Sequence, residues 1–313
     1  MSTLFDKRLI VVGGKGGVGR TTVAAALAVA AARRGKRVLL AQTRSKERLS
    51  TLLDGPPVTT AIVRVRPNLW AVNIFPEAAL HEYGLMVLRS ELLYRALFEN
   101  RVSRAFIRAI PGVDDYSLLG KVWYHTTELE RGRPRYDLVI LDGPATGHVV
   151  TLLQIPKAIV AAVPDGPLTA TARACIELLK DPVRTAAVLV TLAEEMPVNE
   201  TIELAARLRD SVGVTVGPVI VNQLYPPRFV AGASARALEL LPETTGDERL
   251  DPLLVRARIA ARRRTMNDRY IEKLKAAVPI PQAQLPYLFK PRFDAAALEE
   301  LSQRLEAQLV AFA

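Results

Sequence analysis

Short, strongly apolar segments alternate along the chain with longer segments in which apolar residues recur every three or four positions. The short segments are rich in Val, Ile and Leu, and nearly every position in them is apolar, which is typical of strands covered on both faces of a parallel sheet. They span Arg8–Val12, Arg37–Ala41, Leu69–Ile74, Leu138–Leu141, Ala186–Thr191 and Val216–Val221. The alternation predicts an α/β fold with a doubly wound, mostly parallel sheet.

The longer segments predict helices at both ends of the chain and a helical insertion between them. The first helix runs from about Arg20 to Arg34 and is closed by Gly35, and the last spans about 294–312. Between residues 77 and 131 the strand segments are absent and helical spacing persists, so we expect a helical cap there. No repeat or flexible linker divides the sequence, and we expect one domain over 1–313.

Composition excludes several kinds of site. The chain of 313 residues has one cysteine, Cys175, which cannot build an intrachain disulfide, a thiolate zinc site or a cysteine-ligated iron–sulfur cluster. The longest apolar run, Thr22–Ala32, is too short to cross a bilayer, and the first strand begins too early to leave room for a signal peptide. We therefore expect a cytoplasmic protein with no transmembrane segment.

Positive charge is concentrated in one segment. Lys and Arg number 42 against 32 Asp and Glu, a net charge of +10, and Arg256–Lys275 alone carries eight basic residues against Asp268 and Glu272. Four apolar residues of this segment recur at helical spacing: Ile259, Met266, Tyr270 and Leu274. The pattern favours a packed helix with a solvated basic face, and we expect no nucleic-acid partner on the strength of net charge alone.

A glycine-rich turn lies between the first strand and the first helix. The sequence from Gly13 to Thr22 fits the spacing G-x-x-x-x-G-K-[ST], with Arg20 in the lysine position. Backbone N–H groups of such a loop surround phosphate oxygens, and the positive end of the following helix points at the same place. We expect the loop to bind the phosphates of ATP through Gly14, Lys15, Gly16, Gly17, Val18, Gly19, Arg20, Thr21 and Thr22, with the Thr21 hydroxyl on Mg²⁺.

The same glycines also fit G-x-G-x-x-G, the pattern of dinucleotide sites. Such a site requires an acid at the end of the second strand, where this sequence has Arg44, a residue that could instead bind the 2′-phosphate of NADP. The apolar strand that ends in Asp142 favours ATP, because a Walker-B aspartate at that place holds Mg²⁺, often through water. The NADP alternative stays open at this point.

Together with the glycine-rich loop and the segment at Asp142, three later stretches give the chain a resemblance to the ArsA-type ATPases. This family includes the arsenite-efflux pump ATPase and the related ATPase that guides tail-anchored membrane proteins. The stretch that begins at Asp142 resembles the family's D-T-A-P-T-G-H, with matches at Asp142, Thr146, Gly147 and His148. The others are Glu195–Thr201, similar to E-M-P-V-x-E-T, Val221–Leu224, identical to V-N-Q-L, and Leu285-Pro286, in the place of a late L-P.

The resemblance implies a deviant-Walker-A P-loop fold, with ATP and Mg²⁺ as ligands and nucleotide-dependent dimerisation as a switch. It implies that Lys15 and Asp142 are catalytic, that Thr21 and Asp142 hold the metal, and that Asn222 and Pro286 frame adenine. Lys15 would reach across the interface to the phosphates of the partner. The chain is most similar to bacterial members encoded as non-identical pairs, so the implied partner is another copy or an ArsA-like paralogue.

Two departures from the family pattern concern hydrolysis. The family has D-P-A-H-S after the second strand, and its Asp orients the attacking water, whereas this chain has Arg44 there; Arg20 also replaces the loop lysine. We therefore expect slow hydrolysis. Three alternatives stay open: a slow ATPase whose bound state is the signal, an inactive nucleotide-binding half of a heterodimer, and a partitioning-type, ATP-dependent DNA-associated regulator.

Two other departures concern ligands and clients. The tail-anchored branch has a Cys-x-x-Cys pair after V-N-Q-L, but here Leu224 is followed by Tyr-Pro-Pro-Arg, so we expect no structural zinc and no arsenite site. That branch also inserts long Met-rich helices after its second switch. Only about thirty residues separate Gln154 from the strand at Ala186, and the chain has 4 methionines, so a groove for a membrane helix is not expected.

Overall fold

The computed structural model describes residues 3–76, 79 and 113–312. Its strands are β1 (Leu9–Gly14), β2 (Val38–Thr43), β3 (Val63–Arg66), β4 (Leu69–Ile74), β5 (Leu129–Glu130), β6 (Arg133–Pro134), β7 (Leu138–Asp142), β8 (Thr185–Leu192), β9 (Val216–Leu224) and β10 (Gln282–Pro286). Eight of them form one sheet in the order β10-β9-β8-β1-β7-β2-β4-β3, and β5 pairs with β6 in a separate hairpin.

The sheet is parallel except at one edge. Every neighbouring pair from β10 to β4 runs in the same direction, and only β3 is antiparallel to its neighbour β4. The α/β, mostly parallel fold expected from the sequence is thereby confirmed. The six apolar segments all form strands. The edge strands β3 and β10 were not predicted, because Val63–Arg66 alternates with arginine and Gln282–Pro286 contains two glutamines and a proline.

The helices of the described chain connect these strands. They are α1 (Arg20–Arg33), α2 (Leu49–Leu53), α3 (Val113–Thr127), α4 (Thr146–Ala162), α5 (Pro167–Lys180), α6 (Glu195–Arg207), α7 (Gly232–Leu240), α8 (Leu250–Ala277) and α9 (Ala295–Ala311). A turn of π-helix follows α6 at Leu208–Val212, and a 3-10 turn at Leu4–Asp6 precedes β1. No helix in the described ranges combines the length and the apolar character needed to cross a membrane.

Helices cover both faces of the sheet. On one face α1 and α9 pack on one alternating set of side chains of β1, β2 and β7. The middle of α1, from Val23 to Ala31, is buried on all sides. On the other face α4, α5 and α6 pack on the alternate positions of the same strands. Both layers leave the carboxyl ends of the parallel strands at one edge, and the loops that follow β1, β2, β7, β8 and β9 meet there.

Two expectations about helices need comment. The helical cap expected at 77–131 lies outside the described residues for most of its length; its last part is the helix α3 and the β5–β6 hairpin. The prediction of a buried apolar stripe on α8 is confirmed at Leu274. It is wrong at Ile259 and Met266, whose exposed fractions are 48% and 36%. The buried face instead includes Asn267, because its side chain donates to Ala193 O and accepts from Tyr225 N.

A buried histidine near the end of α3 generates a prediction about stability. The Nδ1 atom of His125 lies 2.8 Å from Glu128 Oε2, and the ring packs edge-on against Tyr136. Burial lowers the pKa of His125 below its ordinary value of 6.5, and Glu128 opposes this shift. In the unfolded chain His125 therefore takes up a proton near pH 6.5, whereas in the folded chain it takes up that proton only at a lower pH.

We expect the free energy of unfolding of the wild type to fall as the pH drops below 6.5, by up to about 1.4 kcal/mol per pH unit from this residue. The variant His125→Gln should lose this component, and the exposed His148→Gln should keep it. Denaturant unfolding of the three proteins from pH 5 to pH 8 measures the difference. Parallel pH profiles for wild type and His125→Gln would contradict the assignment.

Candidate functional site

The glycine-rich loop brings the end of β1 onto the start of α1. Gly19 precedes α1 with a φ of 90°, in the left-handed region where glycine is unstrained. A Cβ atom at Gly19 would lie 2.4 Å from Asn222 Nδ2, so this position also requires the absence of a side chain. That Asn222 amide donates to the carbonyl of Val18 at 2.9 Å, which attaches the loop to the end of β9.

A buried carboxylate lies directly behind the loop. Asp142, the last residue of β7, is 6% exposed, and its Oδ2 atom accepts from Thr21 Oγ1 at 2.6 Å and from Gln42 Nε2 at 3.0 Å. Burial raises the pKa of Asp142, whereas the two hydrogen bonds and the charge of Arg20 lower it. A hydroxyl and a carboxylate in contact are oxygen donors of the kind that Mg²⁺ prefers. The sequence predicted Thr21 and Asp142 as metal ligands but gave no role to Gln42.

Arg20 connects the loop to the segment after β7. Its Nη1 atom donates to the carbonyl of Gly143 at 2.5 Å. Burial lowers the pKa of Arg20, and the nearby Asp142 partly offsets this effect. An arginine titrates far above neutral pH even so, and the guanidinium places a full positive charge at the mouth of the loop.

Lys15 forms an ion pair with a residue of another motif. Its Nζ atom is bonded to Glu200 Oε1 in α6, and Thr146 Oγ1 at the start of α4 donates to Glu200 Oε2 at 3.1 Å. The hydrogen bond from Lys15 lowers the pKa of Glu200. The structure thus joins three stretches that carried the family resemblance, and Glu200 is a site residue for which sequence analysis gave no function.

A cavity of about 330 Å³ opens beside the loop. It is lined by Asn222 and Pro286, the two residues expected to frame adenine, and also by Thr22, Gln223 and Tyr287. Pro286 lies in β10, which pairs with β9 and so brings the late L-P stretch next to V-N-Q-L. The Asn222 amide nitrogen is engaged by the loop, and its contact with adenine stays a prediction.

The remaining loop residues line the same edge. Gly14 ends β1, Gly16 and Gly17 are exposed at the tip, and Val18 is buried beneath it. Lys15 is half-buried between the tip and α6. All expected loop residues therefore lie within the described structure, and their contacts with phosphate stay a prediction.

Several arginines of the basic segment are used within the fold. In α8, Arg258 donates to three backbone carbonyls of residues 241–243, Arg263 donates to Tyr225 Oη, and Arg264 donates to Tyr225 O and pairs with Asp268. These contacts hold α8 against the segment after β9. Some of the arginines that give the segment its positive charge therefore stabilise the fold.

The chain is similar in sequence to known ATPases. The sequence matches the family model described as an anion-transporting ATPase, of the ArsA type, over residues 7–164 and 168–234. It is 33% identical to the ATPase BagA of Mycobacterium tuberculosis over 246 residues, which are 76% of this chain and 71% of that protein.

Two further relatives are similar at lower identity. The ATPase GET3 of Kluyveromyces lactis is 28% identical over 75% of this chain and 77% of its own length. The arsenical pump-driving ATPase of Escherichia coli is 28% identical over 72% of this chain, but the match covers only 40% of that longer protein. The family match extends over most of the chain and includes the loop, the Asp142 segment and β9, and it shows that this protein belongs to the ArsA family of ATPases.

Proposed function

We propose that this ATPase binds MgATP at the glycine-rich loop and uses the bound state to pair with a second subunit, with slow hydrolysis ending the paired state. The second subunit is another copy of the chain or an ArsA-like paralogue. The observation that carries the proposal is the 2.6 Å contact of Thr21 with Asp142 directly behind a loop of backbone N–H groups.

The residues of the site fit both ligands. Thr21 and Asp142 would hold Mg²⁺, and the metal would neutralise charge on the β- and γ-phosphates. The loop amides and the N-terminus of α1 would bind the phosphates. The cavity that Asn222 and Pro286 line would hold the base.

Two cations of the site are bonded to groups of the chain itself. Arg20 is held by the carbonyl of Gly143, and Lys15 is held by Glu200. A phosphate is a stronger partner for Arg20 than a neutral carbonyl, because both groups are then charged. Release of Lys15 from Glu200 would leave its ammonium group at the surface, where it could meet the phosphates of a partner subunit.

Slow hydrolysis is supported by the end of β2. Arg44 stands where the family has a water-orienting acid, and its guanidinium pairs with Asp115 at 2.7 Å. The same observation favours a second candidate, a nucleotide-binding half that depends on a catalytic paralogue. The DNA-associated alternative is less well supported, because Arg258, Arg263 and Arg264 bind groups of the chain itself.

Steady-state MgATP turnover with nucleotide binding measured in the same sample tests the proposal. We expect wild type to turn over slowly, and Lys15→Ala to retain binding but lose about 10³-fold or more in turnover, the value of a cation supplied in trans. Lys36→Ala is the matched control, because it breaks one exposed ion pair, with Asp6, away from the site. It should behave as wild type.

The outcomes separate the candidates. Tight binding without turnover would favour the nucleotide-binding half, and adding the paralogue should then restore hydrolysis. Absence of MgATP binding to the wild type would overturn the proposal.

Pairing is tested by mass in solution. We expect MgATP to convert the wild type from one chain per particle to two, as measured by light scattering during gel filtration, because Lys15 then has a phosphate partner across the interface. Lys15→Ala should stay a single chain at the same ATP concentration, and Lys36→Ala should pair normally. A mass that does not respond to MgATP in wild type would restrict pairing to a paralogue.

The close approach of the loop to β9 gives a further test. Gly19→Ala would place its Cβ against the Asn222 amide, whereas Gly35→Ala has the same left-handed backbone, φ 81°, with no atom within 4 Å of the added Cβ. We expect both variants to lose about 1 kcal/mol of stability from backbone strain, and Gly19→Ala to lose more because of its contact with Asn222. Only Gly19→Ala should also weaken ATP binding, by about tenfold or more in titration calorimetry. Equal ATP affinities would contradict the proposed link between the loop and Asn222.

A further inference from the structure

Just after the end of β2, Arg44 is held by its backbone and by an ion pair with α3. Arg44 has a φ of 48°, and its backbone N–H donates to Ile74 O at 3.0 Å. The following residue, Ser45, is held by Asn73, which accepts from the Ser45 N–H at 3.2 Å and donates to the Ser45 carbonyl at 2.7 Å. The loop is thus fixed by backbone contacts, and the guanidinium of Arg44 extends to Asp115 in α3.

Gln42 lies inside β2, two residues before Arg44, which follows the end of the strand. It is paired in register with Asp142 of β7 and is completely buried. Its Nε2 atom donates to the same Asp142 oxygen that accepts from Thr21. Since an ionised carboxylate can only accept, this bond fixes which end of the amide faces Asp142.

The other end of the Gln42 amide is unsatisfied. The Oε1 atom is buried and has no hydrogen-bond partner among the residues that the structure describes. A buried acceptor without a donor is unfavourable, and such atoms in proteins are usually satisfied by an ordered water or a ligand. Gln42 therefore presents an unused oxygen acceptor next to the carboxylate and hydroxyl that would hold the metal.

We propose that Gln42 is a positioning residue of the ATP site: Nε2 fixes Asp142, and Oε1 accepts a hydrogen bond from the water that attacks the nucleotide. This inference rests on the proposed function of the same site. It gives β2 an oxygen acceptor to orient water in a chain that has Arg44 in the place of the family's acid.

The amide orients the water without acting as a base. In hydrolysis the water oxygen bonds to the γ-phosphorus and the bond from that phosphorus to the β–γ bridging oxygen breaks, with ADP as the leaving group. The proton of the water passes to a phosphate oxygen, because a carboxamide is not basic at neutral pH. Hydrolysis without a base of its own is consistent with slow turnover.

The test compares Gln42→Met with Gln282→Met. Methionine has nearly the volume of glutamine and lacks both hydrogen-bonding ends. Gln282 is a matched control, since it too lies in a parallel strand with a buried, unpartnered amide atom, at the amino end of β10. Four quantities are measured for each protein: kcat, the Kd of MgATP, the Kd of MgADP with aluminium fluoride, and the thermal midpoint of the ligand-free chain.

For Gln42→Met we expect kcat and the affinity for MgADP–aluminium fluoride to fall about 100-fold, the usual cost of removing one such polar group. The Kd of MgATP should change less than about threefold. The thermal midpoint should change little, because loss of the bond to Asp142 is offset by removal of the buried Oε1 atom that has no partner among the described residues. Gln282→Met should match wild type in all four. If Gln42→Met does not fold, Gln42→Asn, which keeps the amide but shortens its reach, should lower kcat about tenfold with MgATP affinity retained.

Other results overturn the inference. A parallel loss of affinity for MgATP and for the fluoride complex, with kcat unchanged, would assign Gln42 a structural role alone. Equal kcat in wild type and a folded Gln42 variant, or MgATP binding by wild type without turnover, would reject the inference and leave nucleotide binding standing. Failure of wild type to bind MgATP would reject the proposed function as well, so the two failures are distinguishable.

Discussion

The buried carboxylate of Asp142 is the constraint on which the arrangement of the site depends. A carboxylate removed from water costs several kcal/mol unless it is paired and hydrogen-bonded. Here one oxygen, Oδ2, accepts from α1 through Thr21 and from β2 through Gln42, while the next residue, Gly143, accepts from Arg20. Satisfying one charge therefore fixes the relative positions of the loop, the first turn of α1 and two central strands.

The same contacts set the cost of using the site. Lys15, Arg20 and Asn222 all have partners within the chain. Under the proposed function Lys15 must leave Glu200 to reach the phosphates of a partner, so the free energy of that ion pair is subtracted from the intrinsic affinity. A site built in this way responds to ligand by exchange of partners, and the strands beneath the loop can stay in place.

Sequence patterns predicted the strands that are buried on both faces of the sheet and failed to predict its edge strands. Strands covered on both faces have continuous apolar sequences, whereas the edge strand β3 alternates Val with Arg and could not be distinguished from a polar turn. The loop and Asp142 were predictable because their spacing is local. Gln42 and Glu200 were not, because Gln42 meets Asp142 across 100 residues of sequence and Lys15 meets Glu200 across 185. Only the folded register shows those pairs.

The close packing of α1 limits which substitutions this protein can tolerate. Its residues Ala24, Ala25, Ala26, Ala28, Ala30 and Ala31 are completely buried between the sheet and α9. A larger side chain at any of them would overpack the layer at a cost of about 1–3 kcal/mol, a large share of the 5–15 kcal/mol that stabilises a typical domain. Arg20 and Arg44, the two departures that concern hydrolysis, both lie outside this run, at the start of α1 and just after the end of β2. Substitutions that alter the chemistry of the site therefore disturb the packing least at the loops, whereas the helix behind them requires small residues.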